Sequence, residues 1–294
     1  INAAGRLDDM AYGINCLLAP DLASARVMAN DLDDLNKARR EIEQGMQVEA
    51  ETVLKSLNFD DANLPHAIAL YHQDWHQGVI GIVAGRLKEK FHRPCIVFAK
   101  GSEVSPEHTE QQEIKGSARS INGLHIRDLL EHIDSQHPGL ILKFGGHAMA
   151  AGLSIKAKDF EKFQHLFNEL ASKWLKAEDL QSIILSDGAL ALSDLTLSFA
   201  EQLREAGPWG QNFPEPLFDD IFTLVQQRIV GEKHLKLVVE KEGKVFDGIA
   251  FNIDIQAWPN AQATQVHLAY RLDVNEFRGK RTVQLMVESL TAVT

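Results

Sequence analysis

Gly145-Gly146-His147-Ala148-Met149-Ala150-Ala151-Gly152 is the stretch on which the reading of this chain turns. Two adjacent glycines carry no Cβ, so a ligand or a second backbone can come close. His147 stands at their exit, and the small residues at 148, 150 and 151 let a helical turn pack tightly. Backbone amides beside an imidazole suit a phosphate grip. A tight turn with a core histidine would use the same residues. The flanks begin to decide. Residues 140–144 lead into the glycines as an apolar run, 152–155 read as a short strand, and 160–175 as an amphipathic helix.

Working outward, strand and helix keep alternating. Residues 66–71, 95–99 and 114–121 read as strands, and 77–91 and 126–133 as helices. Residues 101–112 are polar and predict an exposed loop. Residues 183–185 and a helix over 194–206 close this α/β layer region. Ahead of it, residues 3–18 predict a short helix. Residues 25–57 then predict one long helix, with Asp21 or Ser24 as N-cap. Its apolar stripe is Met28, Leu32, Leu35, Ile42, Met46 and Val53. The opposite, solvated face holds Asp31, Asp33, Asp34, Lys37, Arg39, Arg40, Glu41 and Glu43. Behind it, Pro208, Pro214 and Pro216 mark a linker. Five strands follow, over 222–230, 234–240, 244–251, 266–275 and 282–290, with tight hairpins at Glu242-Gly243 and Arg278-Gly279. Five strands in so short a span predict a small barrel, with an OB-fold leading.

Composition agrees with a globular chain. Of 294 residues, 45% are hydrophobic and 24% charged. Those fractions exclude collagen-like, disordered and disulfide-scaffold classes. No apolar run approaches the roughly 20 residues that span a bilayer, so no membrane partner is expected. Cys16 and Cys95 stand far apart with no CxxC pattern. With no visible secretory leader, a reducing, cytoplasmic setting is expected. The net charge of −11 argues against nucleic acid until it is divided along the chain. Residues 1–60 carry −5 and 176–294 carry −6, while 61–175 are neutral and hold ten of the twelve histidines.

That neutral region also holds the other chemical candidates. Lys115-Gly116-Ser117-Ala118-Arg119-Ser120 lies on a predicted strand. Alternation puts Ser117 and Arg119 on one face, where a hydroxyl and a guanidinium can clamp an oxyanion. Asp74-Trp75-His76-Gln77-Gly78 leads into a helix, a favourable place for anions, and Trp75-His76 is its ligand-like part. It is neither a Rossmann fingerprint nor a P-loop. Gly81 and Gly85 read as helix-packing glycines. His72 and His76 lack a third ligand nearby, which excludes zinc. In Gly5-Arg6-Leu7-Asp8-Asp9, Arg6 is either part of an ion-pair knot or a phosphate ligand. The barrel carries Lys233, His234, Lys236, Arg271, Arg278, Lys280 and Arg281 among Tyr270 and Phe277. Such interleaving suits single-strand binding or simply solvated hairpins.

Together these segments resemble the C-terminal part of the RecJ family, bacterial single-strand-specific 5′→3′ DNA exonucleases of the DHH phosphoesterase superfamily. The carriers are residues 1–9, 35–43, 75–94, 116–120 and 145–152, then 208–218 and 275–279. The resemblance implies the end of a DHH domain and its long connecting helix over 1–58. It implies a DHHA1 α/β domain over 59–207 and an all-β OB-fold barrel over 208–294. The family hydrolyses phosphodiesters with Mn²⁺ or Mg²⁺ held by Asp and His of the DHH motifs. No Asp-His-His occurs in this sequence, so no metal ligand and no bound cofactor are expected here. A chain that starts at Ile1 is expected to follow those motifs and to be inactive alone.

By the same resemblance, Ser117 and Arg119 hold the 5′-phosphate, Gly145 and Gly146 also bind substrate, and His147 approaches the scissile phosphate. Arg6, Trp75 and His76 contact the strand, and the OB-fold contacts DNA through Lys233, Arg271, Arg278, Lys280 and Arg281. Single-stranded DNA is the expected partner in repair and recombination. Single-strand binding protein and a RecQ-type helicase are further expected partners. Two other functions compete: a module that docks those proteins, and a phosphoesterase fragment acting on nanoRNA or other small nucleotides.

Overall fold

The first helical segment is two helices, not one. α1 (Ala4–Leu7) ends at Asp8. α2 (Met10–Leu17) restarts because the Asp9 carboxylate accepts the Ala11 N–H at 2.8 Å, as an N-cap does. The computed structural model describes residues 1–56, 64–101, 112–210, 213–253, 255 and 257–293. Most of the polar loop expected over 101–112 lies outside the described residues, as does position 57 of the long helix. The chain divides into two units, Ile1–Ser182 and Ile183–Thr294.

The long helix forms as α3 (Leu22–Ser56). Asp21 rather than Ser24 caps it, accepting the Ser24 N–H at 2.8 Å. Leu32, Met46 and Ala50 are buried along the expected stripe, whereas Val53 is 39% exposed. The charged face is not wholly solvated. Arg39 pairs with Glu43, both side chains being largely covered, and Glu43 also accepts from Arg86 at 3.2 Å. Two carboxylate oxygens satisfied by two guanidiniums explain why a charged residue can face a neighbouring helix.

A five-stranded sheet forms the centre of the first unit. Its strands are β1 (Ile68–Tyr71), β2 (Cys95–Lys100), β3 (Glu113–Arg119), β4 (Ile141–Gly146) and β5 (Ala150–Lys156), in the order β1-β2-β3-β5-β4. β1 and β2 run parallel, joined by the crossover helix α4 (Ile80–Phe91); the other neighbours are antiparallel. α5 (Ile126–Gln136) and α6 (Phe160–Trp174) cover one face. There Phe98 meets Phe160 and Phe163 edge-on at centroid distances of 5.7 and 5.6 Å. The other face packs α3 and α4 against β1 and β2. Cys95 is buried in that layer, which pushes its thiol pKa up, and both cysteines are free.

The glycine stretch departs from expectation. Gly145 and Gly146 end β4 as strand residues, and β5 starts at Ala150, so the predicted helical turn is a tight hairpin. The His147 N–H closes it on the Ala150 carbonyl at 2.8 Å. Gly146 needs its glycine: at φ +151°, a Cβ would stand 2.4 Å from the Ala150 oxygen.

The second unit is a closed barrel of β6 (Phe218–Val230), β7 (His234–Lys241), β8 (Lys244–Ala250), β9 (Gln265–Phe277) and β10 (Lys280–Val293). β10 pairs antiparallel with β9 and parallel with β8, which closes the ring. Both expected hairpins are present, with φ of +51° and +79° at Glu242 and Gly243, and +51° and +75° at Arg278 and Gly279. Two left-handed residues in sequence match the twist of the paired strands. The unit begins at Ile183, ahead of the boundary expected at 208. The physical reason is α7 (Leu197–Glu205) and its approach: Leu190, Leu195 and Ala200 belong to the barrel core. Residues 183–185 are not a strand, and the helix starts at Leu197 instead of 194 because Thr196 caps it.

Candidate functional site

α4 covers β2 and part of β3 but not β5 and β4, so that side of the sheet opens into a cavity of about 820 Å³. β3 presents Glu113, Lys115, Ser117 and Arg119 to it, while Ile114, Gly116 and Ala118 point into the α5–α6 core. This is the alternation expected of a strand. The registers then set rows across the sheet. Ser117 lies opposite Gly152, and Gly152 opposite Gly145. Among the described residues, a Cβ on Gly145 would meet nothing within 4 Å, and one on Gly152 only the Gly116 carbonyl at 3.9 Å. The glycine pair is therefore an open floor beside the clamp, not an amide nest in a loop.

Two further glycines bring the walls together. A Cβ on Gly78 would stand 1.8 Å from the Arg6 carbonyl oxygen, so only glycine lets α1 lie against the turn before α4. That contact carries Arg6 to the cavity. A Cβ on Gly81 would stand 2.9 Å from both the Arg119 Nη2 and the Ser117 Oγ. The start of α4 thus passes directly over the clamp. Gly85, by contrast, has nothing within 4 Å of a Cβ and is not a packing glycine.

Arg119 is held in place by its own strand. Its Nη1 donates to the Ser117 Oγ at 3.1 Å and to the Ala118 carbonyl at 2.8 Å. Burial, then the nearby charge of Arg6, lowers its pKa from the usual arginine value. It remains cationic at neutral pH. Neither Arg6 nor Arg119 forms an ion pair among the described residues. Two uncompensated guanidiniums facing one cavity favour an anion between them.

The structure gathers Arg6, Ser117, Arg119 and Gly145 around this cavity, and Gly146 continues β4 beyond it. His147 is exposed on the hairpin turn, outside the cavity lining. Trp75 is buried, 5% exposed, and donates its Nε1–H to Glu49 at 2.7 Å, so it is a core residue. His76 accepts the Gly78 N–H on Nδ1 at 3.0 Å and shapes the turn before α4. Lys115, Lys143, Gly152 and Ser154 also line the cavity and were not singled out from sequence. The same alternation that selects Ser117 and Arg119 selects Lys115. Lys143 becomes legible only once Gly145 is read as a strand residue, and Ser154 only once the register of β5 against β3 and β4 is known.

The barrel candidates do not converge. Arg271 pairs with Glu215 at 3.4 Å and Glu288 at 3.0 Å, and Arg281 with Glu201 at 2.9 Å. Lys233 precedes β7, whereas Arg278 and Lys280 flank the start of β10. β10 is parallel to β8 and β8 antiparallel to β7, so these two turns lie at opposite ends of the barrel. Arg278 rests on the Phe277 ring at 5.1 Å.

Among the described residues, no group of three or more His, Cys, Asp or Glu side chains is placed to hold a metal ion. The described side chains form no site for the Mn²⁺ or Mg²⁺ that the resemblance assigns to the DHH motifs. No helix among the described residues is long and apolar enough to cross a membrane.

Comparison with known proteins agrees with both units. Residues 64–173 match the DHHA1 domain and residues 186–289 the RecJ OB domain. The chain is 56% identical over 292 residues to a single-stranded-DNA-specific exonuclease RecJ of Dickeya dadantii and 52% identical to that of Escherichia coli. Each match covers 99% of this chain and 49% of the relative, so the chain spans about half the length of the curated relatives it matches. Matches to crystal structures of Thermus thermophilus RecJ cover 100% of this chain. The Mg²⁺ complex is 25% identical with a TM-score of 0.76, matching 42% of that chain. The Mn²⁺ complex is 26% identical with a TM-score of 0.77, matching 40%. With these two domains in this order, the chain belongs to the RecJ family and corresponds to its C-terminal half.

Proposed function

We propose that this chain grips the 5′ end of single-stranded DNA for a 5′→3′ exonuclease of DNA repair and recombination. One observation carries the reading: Arg6, Ser117 and Arg119 face an open glycine floor in a chain of the RecJ family. The Ser117 hydroxyl and the Arg119 fork supply charge-assisted hydrogen bonds to phosphate oxygens, roughly twice as strong as neutral ones. Arg6 supplies a second cation. A terminal phosphate carries more charge and more free oxygens than an internucleotide one, so two guanidiniums favour a strand end over its middle. Where divalent cations are bound, they activate water and stabilise the leaving oxygen. The residues of this chain bind and orient the strand.

His147 takes a supporting place in this proposal. Its N–H bonds the carbonyl of Ala150, which lies opposite Arg119, so its exposed ring sits one turn from the clamp. It would approach the scissile phosphate, as the family resemblance implies. Lys233, Arg278 and Lys280 would guide the strand along the barrel electrostatically. Recruitment of single-strand binding protein or a RecQ-type helicase, and residence in the cytoplasm, belong to the same proposal and rest on the family resemblance. Neither a separate docking module nor a small-nucleotide phosphoesterase gains an observation of its own.

Fluorescence anisotropy with matched 5′-phosphorylated and 5′-hydroxyl oligonucleotides tests the grip. The phosphorylated strand should bind more tightly, with affinity falling steeply as salt rises. Arg119→Gln should remove about tenfold or more of that preference, the loss of a charged hydrogen-bonding pair. Equal binding of both ends by the unsubstituted chain would sink the proposal.

A further inference from the structure

The cavity is longer than one terminal phosphate requires. One strand repeat away from the clamp, Lys115 on β3, Ser154 on β5 and Lys143 on β4 stand opposite one another as a second row. All three line the cavity. Two residues along a strand advance about 7 Å, so this row lies one such step from Ser117. Ser154 is only 7% exposed, yet its side chain has no hydrogen-bond partner among the described residues. Neither lysine meets a carboxylate there. The two lysine Cα positions are two strand spacings apart, about 10 Å, with Ser154 between them. Flexible stems let both ammonium groups converge on one anion above that hydroxyl.

The row has a defined end. Glu113, the next residue outward on the same strand face, also lines the cavity and lies opposite Lys156. Its carboxylate breaks the positive run and bounds the cationic row on that side.

From this geometry we infer that Lys115, Ser154 and Lys143 form a second phosphate subsite continuous with the Ser117–Arg119 clamp. The cavity takes a pair of phosphoryl groups, not one. The inference rests on the reading of the clamp as a 5′-phosphate site. Two ligands carry such a pair: a strand with its next internucleotide phosphate, and a 5′-polyphosphate end.

Calorimetric titration of the 294-residue chain separates these cases. The probes are deoxyadenosine monophosphate, a 5′-phosphorylated deoxyadenosine dinucleotide and deoxyadenosine triphosphate. At least one of the larger two should bind about tenfold more tightly than the monophosphate, the contribution of one set of charge-assisted hydrogen bonds. Lys115→Gln with Lys143→Gln should erase that gain, lowering monophosphate affinity by a clearly smaller factor and leaving the melting temperature unchanged. A gain confined to the dinucleotide assigns the row to the DNA strand, and one confined to the triphosphate assigns it to a polyphosphate end. Gains with both support the shared site. Equal affinities for all three ligands, or a gain that survives the double substitution, overturn the second subsite and leave the clamp standing. Monophosphate binding that is absent, or unmoved by Arg119→Gln, overturns the clamp and the second subsite together.

Discussion

At the residue scale, glycines do three different things here, and they can be told apart. Gly78 is indispensable because a Cβ would collide with the Arg6 backbone, which cannot rotate away. Gly78→Ala should cost about 3 kcal/mol, the upper end for overpacking because the clash is with backbone, and should loosen Arg6 from the cavity. Gly85 sits within α4 with space around it. Gly85→Ala should be neutral or stabilising by up to about 1 kcal/mol through helix propensity. Thermal melts of the two variants should therefore shift in opposite directions or by very unequal amounts. Histidine shows the same point from the other side. His76 and His125 accept backbone N–H groups at 3.0 and 3.3 Å, so part of the histidine richness of the middle region is turn and cap chemistry.

Tyr270 makes a further residue-scale case. It is fully buried in the barrel, and its hydroxyl finds no hydrogen-bond partner among the described residues. Burial, then the charges of Asp220 and Asp219, pushes its pKa up and keeps the phenol protonated. Removing an unsatisfied hydroxyl costs nothing in hydrogen bonding. Tyr270→Phe should leave the melting temperature of the barrel unchanged or raise it, with up to about 1 kcal/mol gained. A clear loss in a denaturant melt would show that the hydroxyl is satisfied in solution.

At the scale of elements, the hairpin of β4 and β5 is where sequence and structure parted. The glycine pair suggested a loop and a helical turn because glycine is read locally as a break. Cross-strand pairing with Leu153, Gly152 and Ala151 makes residues 144–146 strand instead. The same pairing turns the missing side chains of Gly145 and Gly152 into a floor. Gly152→Val tests that use. A β-branched residue suits the middle of a strand, so the melting temperature should hold or rise. Its methyl groups would fill the floor and hold the phosphate off its charged partners. The affinity for a 5′-phosphorylated oligonucleotide should then fall about tenfold or more, the weight of one charged hydrogen bond. Unchanged affinity would mean that the phosphate does not approach the glycine row.

At the scale of the whole molecule, the informative boundary is the one before the barrel. The proline-rich stretch looks like a linker, yet Leu190, Leu195 and Ala200 ahead of it are buried in the barrel core. The Asp187 N–H also bonds the Leu217 carbonyl at 2.7 Å, tying the approach to the start of β6. Expressed alone, residues 183–294 should unfold cooperatively. Residues 208–294 should be less stable by several kcal/mol, since three buried side chains lose their burial at roughly 1–3 kcal/mol each. Urea melts of the two pieces decide this. Equal midpoints would return the boundary to 208.

Charge at this scale is likewise a poor guide to a site. The net −11 of the chain coexists with a cavity that, among the described residues, four cationic side chains line, Arg6, Lys115, Arg119 and Lys143, against the single carboxylate of Glu113. The sequence by itself determined the periodic elements: the long helix, the βαβ crossover, the five barrel strands and the alternation that puts Ser117 beside Arg119. Each of these rests on contacts a few residues apart. Only the tertiary structure decided that Trp75 is core and that Arg271 and Arg281 are spent in ion pairs. It also decided that Arg6 and Lys143 share a cavity with the clamp. Those outcomes depend on strand register and on which helix covers which part of a sheet, and both are set by distant pairings that no local spacing records.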